Sequence, residues 1–187
     1  MTEPLNERPD CSTERLDLYR PTLADLTGCH AILSDPRVWE HYPSLCVTEL
    51  GQTRARVERW IDDWAAGLGP WVARERGSAT IVGYGGCSLV TDCLWNLGYR
   101  FAVAAQRRGL ATELGRAAIQ RAKQIGPDLP IVAYLLEHNR ASAALATRLG
   151  LALVDRRPDL GNPDPSAIRL IYADRSLAPT QLGALSS

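Results

Sequence analysis

Apolar residues in the N-terminal part of the chain predict one strand and two helices. In "RLDLYRP", Leu16 and Leu18 alternate with polar residues, which is the two-residue period of a strand. Thr22, with Asp25 three positions later, predicts the N-cap of a first helix that ends near "SDPR". A second helix is predicted from about residue 48 to Gly67. Its apolar face, spaced as i, i+3, i+4 and i+7, consists of Val57, Trp60, Ile61 and Trp64.

The apolar pattern then changes to short β-rich runs. These runs, joined by turn-forming residues, predict antiparallel strands at residues 71–75, 80–90 and 95–103. Residues 111–125 predict a helix that carries Leu114, Ala118, Ala122 and Ile125 near one face. The remaining predicted elements are a strand at 131–136, a helix at 139–150 ended by Gly150, and two last strands at 151–157 and 167–175.

The order of these elements indicates an α/β (α+β layered) fold. It contains one single mixed, mostly antiparallel sheet with flanking helices. The chain shows no internal repeat, and its length suits one domain. We expect residues 1–12 to form a polar N-terminal arm, residues 13–176 the folded domain, and residues 177–187 a flexible tail of small and polar residues.

Composition narrows the classes of function. The 187 residues include 21 Lys+Arg and 21 Asp+Glu, so there is no basic excess of the kind that nucleic-acid-binding proteins show. No apolar run approaches the roughly 18 residues that cross a bilayer, and the N-terminus is polar, without the apolar core of a signal peptide. We therefore expect a cytoplasmic protein that binds neither nucleic acid nor membrane. The five cysteines form no CxxC pair and lie at no metal-ligand spacing from histidine, so we expect reduced thiols and no metal.

One strand-to-helix junction has the composition of an anion site. In "FAVAAQRRGLAT", residues 101–112, an apolar run ends in Arg107, Arg108 and Gly109, and a helix follows. A helix N-terminus offers unpaired N–H groups and a partial positive charge, and glycine lets the backbone approach a ligand closely. The pattern lacks the Gly-Lys-Ser/Thr of a Walker loop. A solvated helix start is the alternative interpretation.

The same junction resembles a known signature. "QRRGLA" at residues 106–111 is similar to the Q/R-x-x-G-x-G/A signature of the GNAT superfamily of acetyl-CoA-dependent N-acyltransferases. Further along, "NRASAALATRLGLALV" resembles the second conserved segment of that family. The opening "TERLDLYRPTLADL" resembles the subgroup that includes ribosomal-protein N-terminal acetyltransferases. The resemblance covers about residues 13–175.

The resemblance implies acetyl-CoA as co-substrate and a splayed central strand pair, here residues 96–102 and 131–136. Backbone groups of Arg100 and Phe101 are expected to hold the pantetheine arm and the thioester carbonyl. The pyrophosphate is expected on the N–H groups of Arg107, Arg108, Gly109, Leu110, Ala111 and Thr112. Asn139 matches the family's motif asparagine and is expected to bond the pantetheine arm. A cap of its own helix is the alternative role, and the two are compatible.

The resemblance also implies the attack of a neutral amine on a thioester, which needs a proton donor for the thiolate and a proton acceptor for the amine. Ala146 stands where many relatives carry a tyrosine acid, so Ser142 is the expected proton donor. Asn96 stands where many relatives carry a glutamate base. The remaining candidates for the base are Tyr134, Glu137 and His41, and water alone is a further alternative.

The function expected from this resemblance is an N-acetyltransferase that acts on a primary amine, with a peptide or protein N-terminus as the first choice. An α-amino group has a pKa of about 8, against about 10.4 for a lysine side chain, and so needs less help from a base. A small-molecule amine and a catalytically silent acyl-CoA-binding module are the alternatives. Whether the chain forms a homodimer stays open.

Overall fold

One eight-stranded sheet organises the protein. The structure, a computed structural model, describes residues 8–185. Along the sheet the strands follow the order β1-β2-β3-β4-β5-β6-β8-β7, and every neighbouring pair is antiparallel except β5 and β6. The mixed, mostly antiparallel sheet predicted from the sequence is therefore confirmed. The strands are β1 Cys11–Ser12, β2 Leu16–Tyr19, β3 Trp71–Glu75, β4 Ile81–Val90, β5 Leu94–Phe101, β6 Ile131–Leu136, β7 Ala152–Pro158 and β8 Ile168–Ala173.

Helices cover both faces of this sheet. They are α1 Leu26–Leu33, α2 Leu50–Ala65, α3 Leu110–Ile125, α4 Arg140–Arg148 and α5 Pro179–Gly183. Successive side chains of a strand point to opposite faces, so β3 contributes to two cores. Val72 packs with α1 and α2, whereas Trp71 and Ala73 belong to the core that contains α3 and one side of α4.

The predicted elements lie within a few residues of the observed ones. Thr22 and Asp25 form the expected capping contact, in which the Thr22 N–H donates to Asp25 Oδ2 at 2.8 Å. The helix α2 ends before Gly67, whose φ of 129° is easily reached by glycine alone. One residue is misplaced by the periodicity, because Ile125 at the last turn of α3 is 43% exposed. Among the described residues no helix combines the length and the apolar composition needed to cross a bilayer.

Both ends of the described chain pack on the sheet. Residues 1–7 of the expected N-terminal arm lie outside the described residues, but Cys11 and Ser12 pair with β2. Most of the segment expected to be a flexible tail is also ordered, because it contains α5 and buries Leu185. Leu185 covers apolar side chains of three strands, Leu94, Val132 and Ile171, which would otherwise face water. Residues 186–187 lie outside the described residues.

The two central strands separate along their length. β5 and β6 are paired only at Trp95–Ile131 and Asn96–Val132. Beyond these pairs β5 stays bonded to β4 and β6 stays bonded to β8, so a gap opens inside the sheet. The expected splayed strand pair is thus present in the structure.

A buried ion pair joins the turn before α1 to the sheet. Arg74 on β3 donates to Asp25 at 2.6 Å, and the two side chains are 8% and 2% exposed. The Arg74 guanidinium also lies over the ring of Tyr19, 4.5 Å from its centre. Loss of one partner would leave the other charge buried without compensation.

We expect Arg74→Met to lower the free energy of unfolding by about 3–5 kcal/mol, because Asp25 then stays buried without its cation. Chemical denaturation measures this difference. The matched control is Arg54→Met, since Arg54 pairs with Glu58 at 3.7 Å and both side chains are half exposed. The control should stay within about 0.5 kcal/mol of the wild type. Equal losses in the two variants would contradict the role given to the buried pair.

Candidate active site

Two cavities meet where β5 and β6 separate. One, the α2 cavity, has a volume of about 580 Å³ and is lined in part by residues of α2. The other, the α3 cavity, has a volume of about 540 Å³ and is lined in part by the first residues of α3 and α4. Five residues line both cavities and so mark their junction: His41, Tyr99, Arg100, Asn139 and Ser142.

The backbone of β5 supplies hydrogen-bond donors to the gap. The Trp95 N–H donates to the Pro130 carbonyl on the β6 side at 2.9 Å, whereas the Ala102 N–H donates to Val82 on the β4 side at 2.9 Å. Hydrogen-bonding direction alternates along a strand, so the N–H groups of Tyr99 and Phe101 face the gap. The Phe101 carbonyl accepts a hydrogen bond from Gln106 Nε2 at 3.1 Å. Of the two backbone groups of Phe101, the N–H is therefore the one that can bind a ligand in the gap.

Arg100 contributes differently from the sequence-based expectation. Its backbone pairs with Tyr84 of β4 in the same alternation, so it is directed away from the gap. Arg100 nevertheless lines both cavities, and its side chain is the part that we expect to contact a ligand. The sequence could not show this, because which backbone groups of a strand face a neighbour depends on the register.

The turn before α3 has the form of an anion cradle. Arg107 and Gly109 adopt positive φ values of 60° and 81°, and α3 begins at the next residue. Among the described residues we find no hydrogen bond from the N–H groups of residues 107–109, and those of residues 110 and 111 belong to the unpaired start of the helix. Thr112 departs from the expectation, because its N–H donates to the Gly109 carbonyl at 3.1 Å.

Ion pairs hold this turn in place. Arg108 forms two hydrogen bonds with Glu75, at 2.7 and 2.8 Å, so its side chain does not line the α3 cavity. Arg15 pairs with Glu113 and donates to the Arg108 carbonyl at 2.7 Å. Arg107 lines the α3 cavity instead. Three arginines from other elements line the same cavity, namely Arg37 from the turn after α1 and Arg140 and Arg148 from the two ends of α4.

The start of α4 places a hydroxyl at the junction. Asn139 Oδ1 accepts the Ser142 N–H at 3.1 Å, so Asn139 caps α4. The Ser142 side chain lies next to the Tyr99 hydroxyl, and burial raises the pKa of Tyr99, which keeps the phenol protonated. The Tyr99–Ser142 pair is therefore a source of protons beside the gap. Tyr99 was missed because it followed the apolar pattern of its strand.

Tyr134 and Glu137 lie in different surroundings. Tyr134 lines the α2 cavity, and the guanidinium of Arg169 lies 4.8 Å from the centre of its ring. Glu137 lines neither cavity and forms an exposed ion pair with Arg156 at 2.7 Å. The hydrogen bond from Arg156 lowers the pKa of Glu137, which makes this carboxylate a weaker proton acceptor.

A carboxylate of α2 enters the α2 cavity. Asp63 accepts a hydrogen bond from Ser88 at 3.0 Å, and Ser88 is the cross-strand partner of Asn96. All three residues line the cavity. Burial raises the pKa of Asp63, which makes it a stronger proton acceptor than an ordinary aspartate. The sequence offered no signal for this role, since Asp63 is one of several polar residues interspersed with the apolar face of an amphipathic helix.

The His41 ring already has a hydrogen-bond partner, Arg100. Its Nε2 lies 2.6 Å from Arg100 Nη1, and because arginine can only donate, Nε2 must be the unprotonated acceptor. Burial and the charge of Arg100 lower the pKa of His41 to about 4. His41 is therefore neutral at neutral pH and holds the Arg100 guanidinium in place.

Comparison with known proteins agrees with this geometry. A family model described as the acetyltransferase (GNAT) domain matches residues 15–152. An acetyltransferase from Agrobacterium tumefaciens is 24% identical, covers 91% of this chain and 97% of its own, and has a TM-score of 0.70.

Two further solved structures share the fold and contain ligands. The microcin C7 self-immunity acetyltransferase, in complex with acetyl-CoA and AMP, is 16% identical with a TM-score of 0.71, over 88% of this chain and 93% of that one. The ribosomal L7/L12 alpha-N-protein acetyltransferase, in complex with coenzyme A, is 18% identical with a TM-score of 0.73, over 90% of this chain and 97% of that one. At these identities the likeness shows the common fold.

Proposed function

Because the chain belongs to the GNAT acetyltransferase family, we propose that it transfers the acetyl group of acetyl-CoA to a primary amine. The observation that carries this proposal is the junction of two cavities at the gap between β5 and β6. A two-substrate reaction needs such an arrangement, in which each substrate has its own cavity and the reacting groups meet between them. Similar structures that contain acetyl-CoA or coenzyme A support the choice of co-substrate.

In this proposal acetyl-CoA occupies the α3 cavity. The cradle of residues 107–111 binds the pyrophosphate, since its N–H groups and Arg107 suit a doubly charged anion. The pantetheine arm lies along the gap, where the N–H groups of Tyr99 and Phe101 lack a strand partner. Asn139 borders the same gap. Three further arginines, Arg37, Arg140 and Arg148, add positive charge around the phosphates.

The chemistry is a direct transfer. The amine nitrogen bonds to the thioester carbon, and the carbonyl electrons move to oxygen, where the Phe101 N–H is the proposed donor to the oxyanion. The C–S bond then breaks and the carbonyl reforms. The departing thiolate takes a proton from Ser142, the adjacent Tyr99 hydroxyl returns a proton to the serine oxygen, and solvent then reprotonates Tyr99. The amine loses one proton to a base in the α2 cavity.

Asp63 is the base in this proposal. It lines the α2 cavity and its raised pKa favours proton uptake, in contrast to the exposed Glu137. Tyr134, the other candidate from the sequence, lines the same cavity beneath Arg169. Asp63 accepts a hydrogen bond from Ser88, and Ser88 lies opposite Asn96 on the neighbouring strand. Asp63 thus places a carboxylate near Asn96, the residue that stands where many relatives carry a glutamate.

The proposed acceptor is a peptide or protein N-terminus, with a small-molecule amine as the second choice. The α2 cavity, at about 580 Å³, has the volume of a typical small-ligand site. An α-amino group, with a pKa of about 8, is partly neutral at neutral pH and suits a site with one moderate base. A silent acyl-CoA-binding module is favoured by Asn96 and Ala146, but Asp63 and Ser142 at the cavities weigh against it.

The test begins with binding. Acetyl-CoA at about 100 times its Kd should stabilise the wild type by roughly 2.7 kcal/mol, measured as a rise in Tm. Gly109→Leu should abolish that rise, because a side chain at φ 81° distorts the cradle. The matched control is Gly77→Leu in the exposed β3–β4 turn, which has a φ of 76° and should keep the full rise. No rise in the wild type would overturn the proposal.

Turnover is then read as thiol release from acetyl-CoA over a panel of amines. A peptide with a free N-terminus and no lysine should be acetylated faster than the same peptide with a blocked N-terminus and one lysine. Acetyl-CoA binding without thiol release for any amine would favour the silent module instead. Faster reaction of the lysine peptide would reject the choice of acceptor.

Ser142→Ala should lower kcat by about 10-fold or more while the Kd of acetyl-CoA changes little, because a proton donor acts on the departing thiolate. Steady-state kinetics and calorimetry separate the two effects. Thr147→Ala is the control, since it removes an exposed hydroxyl from the same helix and should leave kcat unchanged. A wild-type kcat for Ser142→Ala would show that the residue only packs.

Asp63→Asn should lower kcat/KM by about 100-fold near pH 7. The difference in kcat/KM between Asp63→Asn and the wild type should become smaller above the pKa of the amine, where the acceptor is already deprotonated. A purely structural role predicts the same difference at every pH. The charged neighbours of Asp63 are Arg59 and Asp62, and Asp62→Asn on the exposed side of α2 is the matched control. Since burial makes ionised Asp63 costly to the fold, Asp63→Asn should also keep its Tm. A pH-independent loss, or an equal loss in the control, would count against Asp63.

A further inference from the structure

Arg100 is a cation without an acidic partner. Its guanidinium lies 4.0 Å from the centre of the Trp39 ring, bonds His41 at 2.6 Å and contacts the hydroxyl of Tyr84. All three partners are neutral. Among residues 8–185 no carboxylate forms an ion pair with Arg100, whereas Arg37 and Arg169, which also line the cavities, each have one.

The elements around Arg100 bring one carboxylate, Glu40, which is exposed, lines the α3 cavity and forms no ion pair with Arg100. Trp39 and His41 come from the segment after α1, Tyr84 from β4, and Arg56 of α2 brings a second positive charge near the same rings. The acids of the α2 cavity are used elsewhere, because Asp159 binds Arg169, and Asp63 binds Ser88 close to Arg59. The positive charge at the junction is therefore uncompensated within the described chain.

Such a cation is costly to hold out of water. Burial lowers the pKa of Arg100, which reports a guanidinium that has lost part of its hydration. An arginine in this situation is well suited to an incoming anion, since its planar donors match two carboxylate oxygens at once. The aromatic ring below it and the histidine beside it keep the guanidinium in one orientation.

The position of Arg100 indicates which substrate supplies that anion. Its cross-strand partner is Tyr84, which packs with α1 and α2, and cross-strand partners share one face of the sheet. The cradle proposed for the pyrophosphate lies at the start of α3, which covers the opposite face. The guanidinium therefore lies on the face of the sheet that α1 and α2 cover, at the junction where the acceptor cavity meets the α3 cavity.

We propose that the acceptor carries a carboxylate, or a group of equivalent charge, close to its primary amine, and that the side chain of Arg100 binds it. This inference rests on the proposed function and names the chemistry of its acceptor. Two sources have this chemistry. One is a free amino acid, with its own α-carboxylate, and the other is a peptide N-terminus whose first side chain is acidic.

The role is positioning. An anion held by Arg100 brings the adjacent amine to the junction, where the N–H groups of Tyr99 and Phe101 and the Ser142 hydroxyl face the thioester. Asp63, at the other end of the α2 cavity, would take the amine proton through intervening water. An amine that carries no adjacent anionic group lacks this anchor and should react slowly even at saturating acetyl-CoA.

The test compares matched acceptors that differ only in charge. One pair is a free amino acid and its carboxamide, and the other is a C-terminally amidated peptide that begins with Asp or with Asn. Values of kcat/KM are divided by the neutral fraction of each amine, because the carboxamide has the lower pKa. We expect the charged member of at least one pair to be preferred by about 10- to 100-fold, and the responding pair identifies the source.

Variants assign the preference to Arg100. In Arg100→Gln the ratio between charged and neutral acceptors should fall to about one, whereas Arg100→Lys should keep part of it. Arg54→Gln is the control, because Arg54 is half exposed on α2 and lines neither cavity, and this variant should keep the wild-type ratio. A merely structural role of Arg100 would lower both rates and leave the ratio unchanged.

The outcomes separate the two proposals. Acetylation of neutral and anionic amines at equal rates by the wild type, or an unchanged ratio in Arg100→Gln, overturns the anionic acceptor and leaves the acetyltransferase intact. Failure of acetyl-CoA to raise Tm, or absence of any acetylated amine, overturns the proposed function and this inference with it. If Arg100→Gln does not fold, the wild-type ratio and the ratio in Arg100→Lys decide.

Discussion

The gap between β5 and β6 is the constraint on which the rest of the structure depends. A sheet interior that opens leaves backbone N–H groups without partners, and such groups need a ligand or water. Here the N–H groups of Tyr99 and Phe101 are exposed in this way. The gap can stay open because each strand keeps its other neighbour, β4 or β8. The N-terminal ends of α3 and α4 then border the opening and turn a break in the sheet into a binding site.

Arginines are divided between frame and site. Arg74, Arg108 and Arg169 each meet a carboxylate, and these pairs join separate segments: the turn before α1 to β3, the cradle to β3, and the loop after β7 to β8. Arg107 and Arg100 instead line the cavities without an acidic partner among the described residues. The arginines that pair with a carboxylate position the backbone, whereas the arginines without an acidic partner are suited to bind substrates. The neutral net charge of the whole chain conceals this division.

Much of the fold was predictable because its signals are local. The spacing of apolar residues located the main helices and strands to within a few residues, and Gly109 marked the cradle because few other residues adopt its backbone conformation. The segment after residue 176 was not predictable, since its small residues gave no periodic signal. It is ordered by Leu185, which packs on Leu94 and Ile171 from distant parts of the chain. Ile125 shows the opposite error, an apolar residue in phase with its helix that lies beyond the core.

The sequence by itself determined the fold class, the family resemblance and the cradle, because each depends on residues close together in the chain. Only the tertiary structure decided how the α2 cavity is charged. Asp63 approaches Asn96 from α2 through Ser88, and His41 and Trp39 reach Arg100 from the segment after α1. Strand register and helix packing set these distances. They also direct the backbone of Arg100 to β4 and its side chain to the cavity, a choice that follows from hydrogen-bond alternation across the sheet and that no spacing in the sequence records.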